Sequence, residues 1–205
     1  MAENTPPDNE YASQGDGGVR FEALANLAEV SRGFGEALPV DTWNPPFCGD
    51  IDMKIAKDGA WFYHGSPIER PAMVRLFSRL LRKDEDRYVL VTPVECVGIT
   101  VEDVPFIAAE VETAESAAGR ALKFRTNVGD EVLADADHPL RFETGAADGI
   151  IPYVRVRGGL WARLTRSLTL DLIARGSALD MDGRRMFGVV SGGAFFPIAP
   201  ADDFE

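Results

Sequence analysis

Pro71-Ala-Met-Val-Arg-Leu-Phe-Ser-Arg-Leu80 shares its apolar pattern with Leu170-Asp-Leu-Ile-Ala-Arg-Gly-Ser-Ala-Leu179, at a shift of 99 residues from position 71 to position 170. At the same shift, Tyr88-Val-Leu-Val-Thr92 falls on Phe187-Gly-Val-Val-Ser191. Self-similarity at a fixed spacing indicates an architecture in which one structural unit is completed by its copy. The sequence therefore predicts a duplicated fold with a groove between the copies.

The first predicted unit is a hairpin, a helix and a second hairpin. The hairpin turns at Lys57-Asp-Gly59, and the helix begins at Pro71, because proline fits the first position of a helix. A polar turn is predicted at residues 82–86, followed by strands at 87–92 and 94–101.

The second predicted unit repeats this order. A strand at 149–157 turns at 157–159, a helix covers 166–175, and a strand pair follows at 186–190 and 194–198. The predicted fold class is therefore α+β, with duplicated hairpin-helix-hairpin units and mainly antiparallel sheets.

The chain divides into four predicted regions. They are a disordered head at 1–18, an N-terminal helix with the first repeat at 19–113, linking strands with the second repeat at 114–198, and an acidic tail at 199–205. The N-terminal helix is predicted over residues 19–32 because apolar residues recur there at near-helical spacing. These residues are Phe21, Leu24, Leu27, Ala28 and Val30.

Charge and composition exclude several classes of function. The 205 residues carry a formal net charge of −12, which repels phosphate backbones and argues against a nucleic-acid partner. No stretch approaches the ~18 apolar residues of a membrane span, and the acidic N-terminus lacks the features of a secretory signal. We therefore expect a cytoplasmic protein that binds neither nucleic acid nor a membrane.

Six stretches, which span residues 45 to 160, resemble DUF1285, a family of bacterial proteins of unknown function. They are Pro45-Pro-Phe-Cys-Gly-Asp-Ile-Asp-Met-Lys54, Gly59-Ala-Trp-Phe-Tyr-His-Gly-Ser-Pro-Ile-Glu-Arg70, Arg87-Tyr-Val-Leu-Val-Thr-Pro-Val-Glu95, Ile99-Thr-Val-Glu-Asp-Val-Pro-Phe106, Asp135-Ala-Asp-His-Pro-Leu-Arg141 and Pro152-Tyr-Val-Arg-Val-Arg-Gly-Gly-Leu160. The resemblance implies a duplicated α+β core, a second half similar to pleckstrin-homology-like folds, and a ligand site between the halves. It also implies a nucleotide-like ligand and a role in signal transduction.

Arginines give the main candidate binding site. Arg155, Arg157, Arg163 and Arg166 surround the second Gly-Gly turn, and guanidinium groups beside accessible backbone amides suit an anionic ligand. By contrast, Arg75, Arg79 and Arg82 are interpreted as the solvent side of the first helix, since they share one helix face.

Histidines and carboxylates give the remaining candidates. The chain has two histidines, and His138 lies in Asp135-Ala-Asp-His138, which is either a metal-ligating group or a turn with a hydrogen-bonded histidine. Four carboxylates on consecutive predicted strands form either a cation or acid/base site or a solvated face. These are Glu95, Glu102, Asp103 and Glu110. Glu95 and His138 are included with the four arginines as candidate ligand-binding residues.

The function that we predict from the sequence is a non-enzymatic sensory or regulatory module that binds a small anionic, nucleotide-like ligand between its repeats. One alternative is an enzyme of unrecognised type that uses His138 with nearby carboxylates, and another is a protein-interaction adaptor. No P-loop or dinucleotide motif indicates a cofactor. The expected protein partner is a second copy of the chain or a signalling protein.

Overall fold

A computed structural model describes residues 38–146 and 149–204 of the chain. The head at 1–18 and the helix predicted at 19–32 lie outside the described residues. The described helices are α1 (Pro71–Leu80) and α2 (Arg166–Ala174), with short 3-10 helices at Val40–Thr42 and Ala201–Phe204.

Three sheets contain the strands. The first sheet is formed by β1 (Phe47–Ile55), β2 (Trp61–Tyr63), β3 (Ser66–Pro67), β4 (Leu81–Asp84), β5 (Arg87–Val91) and β6 (Cys96–Val101). The second sheet is formed by β7 (Phe106–Ser116), β8 (Gly119–Thr126), β9 (Glu131–Leu133), β10 (Leu140–Thr144), β11 (Ile150–Arg157) and β12 (Leu160–Leu164). The third sheet is formed by β13 (Ser177–Met181), β14 (Arg184–Ser191) and β15 (Ala194–Pro200). We call residues 38–101 the first half and residues 106–204 the second half.

The first two sheets are copies of one another in strand order. The first runs β3-β2-β1-β6-β5-β4, and the second, read from its other edge, runs β9-β8-β7-β12-β11-β10. In each sheet the first and sixth strands pair in parallel, and every other pair is antiparallel. The predicted α+β class and the duplication are therefore confirmed.

The two six-stranded sheets are not 99 residues apart, so the predicted spacing of the duplication is wrong for the sheets. The first strand of each six-stranded copy begins at Phe47 and at Phe106, so the copies are much closer in sequence than 99 residues. The predicted order of hairpin, helix and strands does recur, as β11, β12, α2 and β13 to β15. However, β10 and β7 already occupy both edges of the β11–β12 hairpin, so β13 to β15 pair among themselves in a separate sheet.

The end of α1 corrects a second prediction. The helix ends at Leu80, and Leu81 pairs with Leu90 in the first sheet, where both side chains are buried. Because Leu81 is held in the ladder, Arg82 to Asp84 continue as β4 instead of forming the predicted polar turn. Arg82 therefore does not lie on the helix with Arg75 and Arg79.

One hydroxyl group ties the third sheet to the second. Ser191 is fully buried; its Oγ accepts a hydrogen bond from the Leu122 nitrogen at 2.8 Å and donates one to the Ala134 carbonyl at 2.6 Å. These bonds join a buried side chain of β14 to the backbone of β8 and of residue 134, so the third sheet is attached to the second through buried, paired polar groups.

The main apolar core extends through both halves. It includes Trp61 and Phe77, whose stacked rings lie 6.1 Å apart, together with Phe106 and Phe124 of the second sheet. The halves are therefore packed as one body, and the seam between them is available for a site. Within the described residues, neither helix has the length and apolar character needed to cross a membrane.

Candidate functional site

A cavity of about 360 Å³ lies at the seam between the two halves. The first half lines it with the Val40–Thr42 turn region and β4, and the second half lines it with the turn between β11 and β12. Its lining residues are Val40, Asp41, Trp43, Asn44, Leu81, Arg82, Lys83, Asp84, Arg157, Gly158, Gly159 and Leu160. Three of them are cationic side chains and two, Asp41 and Asp84, are carboxylates, in a protein whose net charge is −12.

Arg82 is held in place on this wall by four hydrogen bonds. Its Nε and Nη2 donate to the two carboxylate oxygens of Asp84 at 2.6 and 2.7 Å. Its Nη1 donates to the carbonyls of Val40 and Trp43, both at 2.7 Å. The pair with Asp84 raises the pKa of Arg82 further, so its charge is permanent. Arg82 therefore fixes the shape of this wall of the cavity, and few of its guanidinium N–H groups remain to bind a ligand.

Of the three cationic residues in the cavity lining, Lys83 has the fewest hydrogen-bond and ion-pair partners. Its Nζ lies 5.2 Å from the centre of the Tyr88 ring, and no carboxylate of the described residues pairs with it. Its stem packs on Gly159, where an added Cβ would lie 3.2 Å from the Cβ and Cδ of Lys83. Glycine at this position therefore allows the turn to approach the lysine, and the ammonium group can meet an anion.

Arg157 connects the turn between β11 and β12 to both halves. Its Nη2 donates to the Ser78 carbonyl of α1 at 2.6 Å, and its Nη1 pairs with Asp130. Its guanidinium also lies over the Phe106 ring, 5.0 Å from the centroid. The next residue, Gly158, has φ +47°, a conformation that favours glycine. Arg157 thus brings a positive charge and a backbone turn to the cavity.

The other predicted arginines lie elsewhere. Arg155 is exposed and donates to the Gly158 carbonyl at 2.8 Å, within its own turn. Arg163 and Arg166 line a different hollow, of about 850 Å³, beside α2. There the Arg163 Nη2 donates to the Lys57 carbonyl at 2.7 Å. Of the four arginines, only Arg157 lines the seam cavity.

Glu95 and His138 lie in separate turns and line none of the hollows described above. Glu95 is in the turn between β5 and β6, where its backbone nitrogen donates to Thr92 Oγ1 at 2.9 Å. His138 is in the turn between β9 and β10, with its Nδ1 3.3 Å from the Asp135 carboxylate. The six candidate residues thus do not form one cluster, and their role in binding stays a prediction.

Carboxylates of the predicted acidic group have partners within the protein. Glu102 lies 3.0 Å from Lys54 Nζ and accepts a hydrogen bond from the Lys57 nitrogen at 2.9 Å. Glu110 pairs with Arg125 at 3.4 Å. Among the described residues, no three His, Cys, Asp or Glu side chains are arranged to hold a metal ion. Asp135 Oδ1 instead accepts hydrogen bonds from the backbone nitrogens of residues 137 and 138, so this segment is a turn.

Arg82 and Lys83 are the two cationic cavity residues that the sequence prediction missed. They were assigned to a helix face and a polar turn, which hid their position on an edge strand. No alternation of apolar and polar residues marks this strand, because Arg82-Lys-Asp-Glu-Asp86 is charged throughout. Their proximity to residues 157–159 has no local signal, since it arises from packing between distant segments.

Family models match both halves of the chain. The N-terminal domain model of the domain of unknown function DUF1285 matches residues 38–104, and the C-terminal domain model of the DUF1285 proteins of unknown function matches residues 105–198. The models meet between β6 and β7, at the point where the first sheet ends and the second begins. No curated protein matches the chain.

Two solved structures are similar to this chain. A DUF1285 family protein from Silicibacter pomeroyi DSS-3 is 45% identical with a TM-score of 0.76, and the match covers 87% of this chain and 97% of that chain. A DUF1285 family protein from Shewanella baltica OS155 is 26% identical with a TM-score of 0.50, over 60% of this chain and 91% of that chain. The predicted resemblance to this family is confirmed.

Proposed function

This chain belongs to the DUF1285 family of unknown function, and we propose that it is a non-enzymatic sensory or regulatory module that binds a small anionic, nucleotide-like ligand in the seam cavity between its halves. The second half, in which a six-stranded sheet is followed by one helix, is proposed to be its pleckstrin-homology-like part.

The observation that supports this function is the charge and position of the cavity lining. Arg82 and Lys83 come from the first half and Arg157 from the second, so both copies contribute cations to one hollow. Arginine and lysine are the side chains that bind phosphate and carboxylate groups. Gly158 lies in open space, since an added Cβ would meet no atom within 4 Å, and it leaves the backbone of the turn accessible to a ligand. An anion in this cavity would contact both halves at once.

The size and remaining lining of the cavity suit a small organic anion. About 360 Å³ falls within the range of small-molecule sites. Trp43 and Leu160 add apolar surface beside the cations. A ligand with a phosphate group and a flat ring would therefore find a cation and an aromatic side chain in the same cavity, and this is the reason for proposing a nucleotide-like ligand.

The location of the cavity at the seam is the reason for proposing that the protein senses its ligand. A ligand that contacts both β4 and the turn between β11 and β12 stabilises the arrangement of the two halves by mass action. Such a ligand would shift the equilibrium toward the packed form without any bond being made or broken, which is the behaviour of a regulatory module.

Thermal unfolding of the full-length protein with a panel of anions tests the proposal. The panel contains inorganic phosphate, pyrophosphate and nucleoside mono-, di- and triphosphates. We expect at least one nucleotide to raise the unfolding temperature, and we expect Lys83→Gln to weaken its affinity about tenfold or more, because a hydrogen bond to a charged group is lost. Lys57→Gln is the matched control, since Lys57 has an exposed side chain and does not line the cavity.

Two results would contradict the proposal. One is that no anion in the panel changes the unfolding temperature of the protein. The other is that Lys83→Gln and Lys57→Gln bind an active anion as tightly as the original chain, which would place the ligand outside the seam cavity.

A further inference from the structure

A second hollow lies beside α2, apart from the seam cavity. It measures about 850 Å³, and none of the described residues lines both hollows. Strands β7, β11 and β12 of the second sheet line it together with α2, and Asp58 of the first half also lines it. Its volume is within the range of small-molecule sites. The hollow is therefore a second candidate site of the molecule.

The lining of this hollow is mostly aliphatic. Five of its apolar side chains are half-buried or exposed, and the main core includes none of them. They are Ile107, Ile150, Ile151, Leu170 and Ile173. Leu170 is the most exposed of the five, at 61%. These side chains present apolar surface to water, so an aliphatic chain that enters the hollow gains free energy by covering it.

One face of α2 combines charge with apolar surface. Arg166, Leu170 and Ile173 occur at positions i, i+4 and i+7, which share a helix face. A helix rises about 1.5 Å per residue, so the cation at the first position of α2 is about 10 Å from Ile173 along the axis. The helix packs against β11, which carries Ile150 and Ile151. An aliphatic group between these two elements would thus have the Arg166 side chain at one end.

Arg166 is available to bind a headgroup. It is exposed, and no hydrogen bond or ion pair joins its side chain to the other described residues. The second arginine of the lining, Arg163, is held by the Lys57 carbonyl at 2.7 Å and by the Asp103 carboxylate at 3.4 Å. Asp58, the one carboxylate among the described lining residues, follows Lys57 in the chain and so lies near Arg163. Arg166 is therefore the cation of this lining that can attract an anionic headgroup.

We propose that this hollow binds a free amphiphile that has an aliphatic chain and one carboxylate, a long-chain monocarboxylate. Arg166 binds the carboxylate, for which a guanidinium group offers paired donors, and the chain lies between α2 and β11. A nucleotide suits this hollow less well, because no aromatic side chain of the described residues lines it. A membrane of anionic lipids also suits it less well, since the net charge of −12 opposes approach to such a surface.

Calorimetric titration of the full-length protein with dodecanoate, below the concentration at which it forms micelles, tests this site. We expect saturable binding, with an affinity that falls about threefold to fourfold for each methylene removed in the series to octanoate. Dodecyltrimethylammonium has the same chain and the opposite charge, and we expect it to bind at least about tenfold more weakly. Vesicles of phosphatidylcholine and phosphatidylglycerol test the membrane source, and we expect the protein not to bind them.

Matched substitutions locate the bound dodecanoate. Arg166→Gln should weaken binding about tenfold or more, whereas Arg184→Gln, at an exposed arginine outside the hollow, should stay within about twofold of the original chain. Leu170→Asp should weaken binding similarly, because it places a carboxylate beside the aliphatic chain. Leu179→Asp is its control, at an exposed leucine of β13. Leu170 and Leu179 are 61% and 42% exposed, so both variants should fold.

Four results would overturn the proposal. The first is that dodecanoate does not bind, or binds with an affinity that is independent of chain length. The second is that Arg166→Gln and Leu170→Asp bind dodecanoate as tightly as their controls. The third is that Lys83→Gln weakens the binding as much as Arg166→Gln, which would place dodecanoate in the seam cavity. The fourth is binding of the protein to vesicles, which would favour a membrane surface as the ligand.

Discussion

The Arg157 guanidinium donates a hydrogen bond of 2.6 Å to the Ser78 carbonyl and so joins the second sheet to the last turn of α1. The same guanidinium pairs with Asp130, so three segments that are distant in sequence meet at one side chain. The contact lies beside the seam cavity, which Arg157 also lines. It makes the packing of the halves dependent on a residue that the sequence identified as a candidate ligand-binding residue.

Replacing Arg157 with Met should therefore destabilise the protein in the absence of any ligand. The variant keeps an apolar side chain but loses the charged hydrogen bonds to the Ser78 carbonyl, which still accepts from the Leu81 nitrogen, and to the Asp130 carboxylate. Hydrogen bonds that involve a charged group contribute about 1–3 kcal/mol to the free energy of unfolding. Urea denaturation measures the loss. Arg155→Met is the control, because the Arg155 side chain is exposed and its hydrogen bond is to Gly158 within its own turn, so a change of less than about 0.5 kcal/mol is expected. Equal losses in the two variants would show that Arg157 does not join the halves.

Ser191→Ala should weaken the attachment of the third sheet. The substitution removes the hydroxyl that satisfies the Leu122 nitrogen and the Ala134 carbonyl, and two buried groups without partners cost about 1–3 kcal/mol. Hydrogen exchange should also show faster exchange of the Leu122 amide. Ser177→Ala, at an exposed position of β13, provides a matched control whose stability should stay close to that of the original protein. An unchanged exchange rate at Leu122 would contradict this role of Ser191.

Phe77→Ala should be the most damaging of these variants. Phe77 is 1% exposed and its ring stacks with Trp61 in the core that both halves share. Truncating a buried phenylalanine leaves a cavity and costs about 3–5 kcal/mol. Leu170→Ala, at a side chain that is 61% exposed, should cost less than about 0.5 kcal/mol in the same denaturation experiment. A small effect of Phe77→Ala would mean that the shared core does not hold the fold together.

The pair of Glu102 and Lys54 should stabilise the protein only above acidic pH. The hydrogen bond to Lys54 and the bond from the Lys57 nitrogen hold the pKa of Glu102 below its ordinary value. Because a lowered carboxyl pKa favours the folded state, the contribution is fully present above about pH 4.3 and is lost as the pH falls through the lowered pKa. A double-mutant cycle with Glu102→Gln and Lys54→Gln should give a stabilising coupling at pH 7 that decreases as the pH falls below about 4.3. A coupling that persists in acid would have a different origin.

Tyr153 should be among the last phenols of the protein to ionise. Burial, followed by the nearby Asp103 carboxylate, raises the pKa of Tyr153 to about 12. A raised phenol pKa contributes stability that is complete below about pH 10, the value in the unfolded chain, and is lost as the pH rises through about 12. Ultraviolet titration should show an absorbance step near pH 12 that is missing in Tyr153→Phe. Asp103→Asn should move the step to lower pH without restoring an ordinary value, because burial remains.

Local sequence patterns predicted most of the elements correctly. The helix that begins at Pro71 and the helix from Arg166 are both present, as are the predicted strands at β5 and β6. These patterns succeed because helical and strand periodicity depend on residues close together in the chain. The prediction of a polar turn at Arg82 was wrong because the strand conformation there comes from the pairing of Leu81 with Leu90. Local periodicity does not indicate this pairing.

By itself, the sequence determined the family, the α+β class, the existence of a duplication and the identity of Arg157 as a residue of interest. Only the tertiary structure decided the spacing of the duplicated sheets, because strand partners are chosen by which edges remain free after distant segments have paired. It also decided that Arg82 and Lys83 share a cavity with Arg157. That grouping arises because the main core draws β4 and the turn between β11 and β12 together across more than seventy residues of sequence.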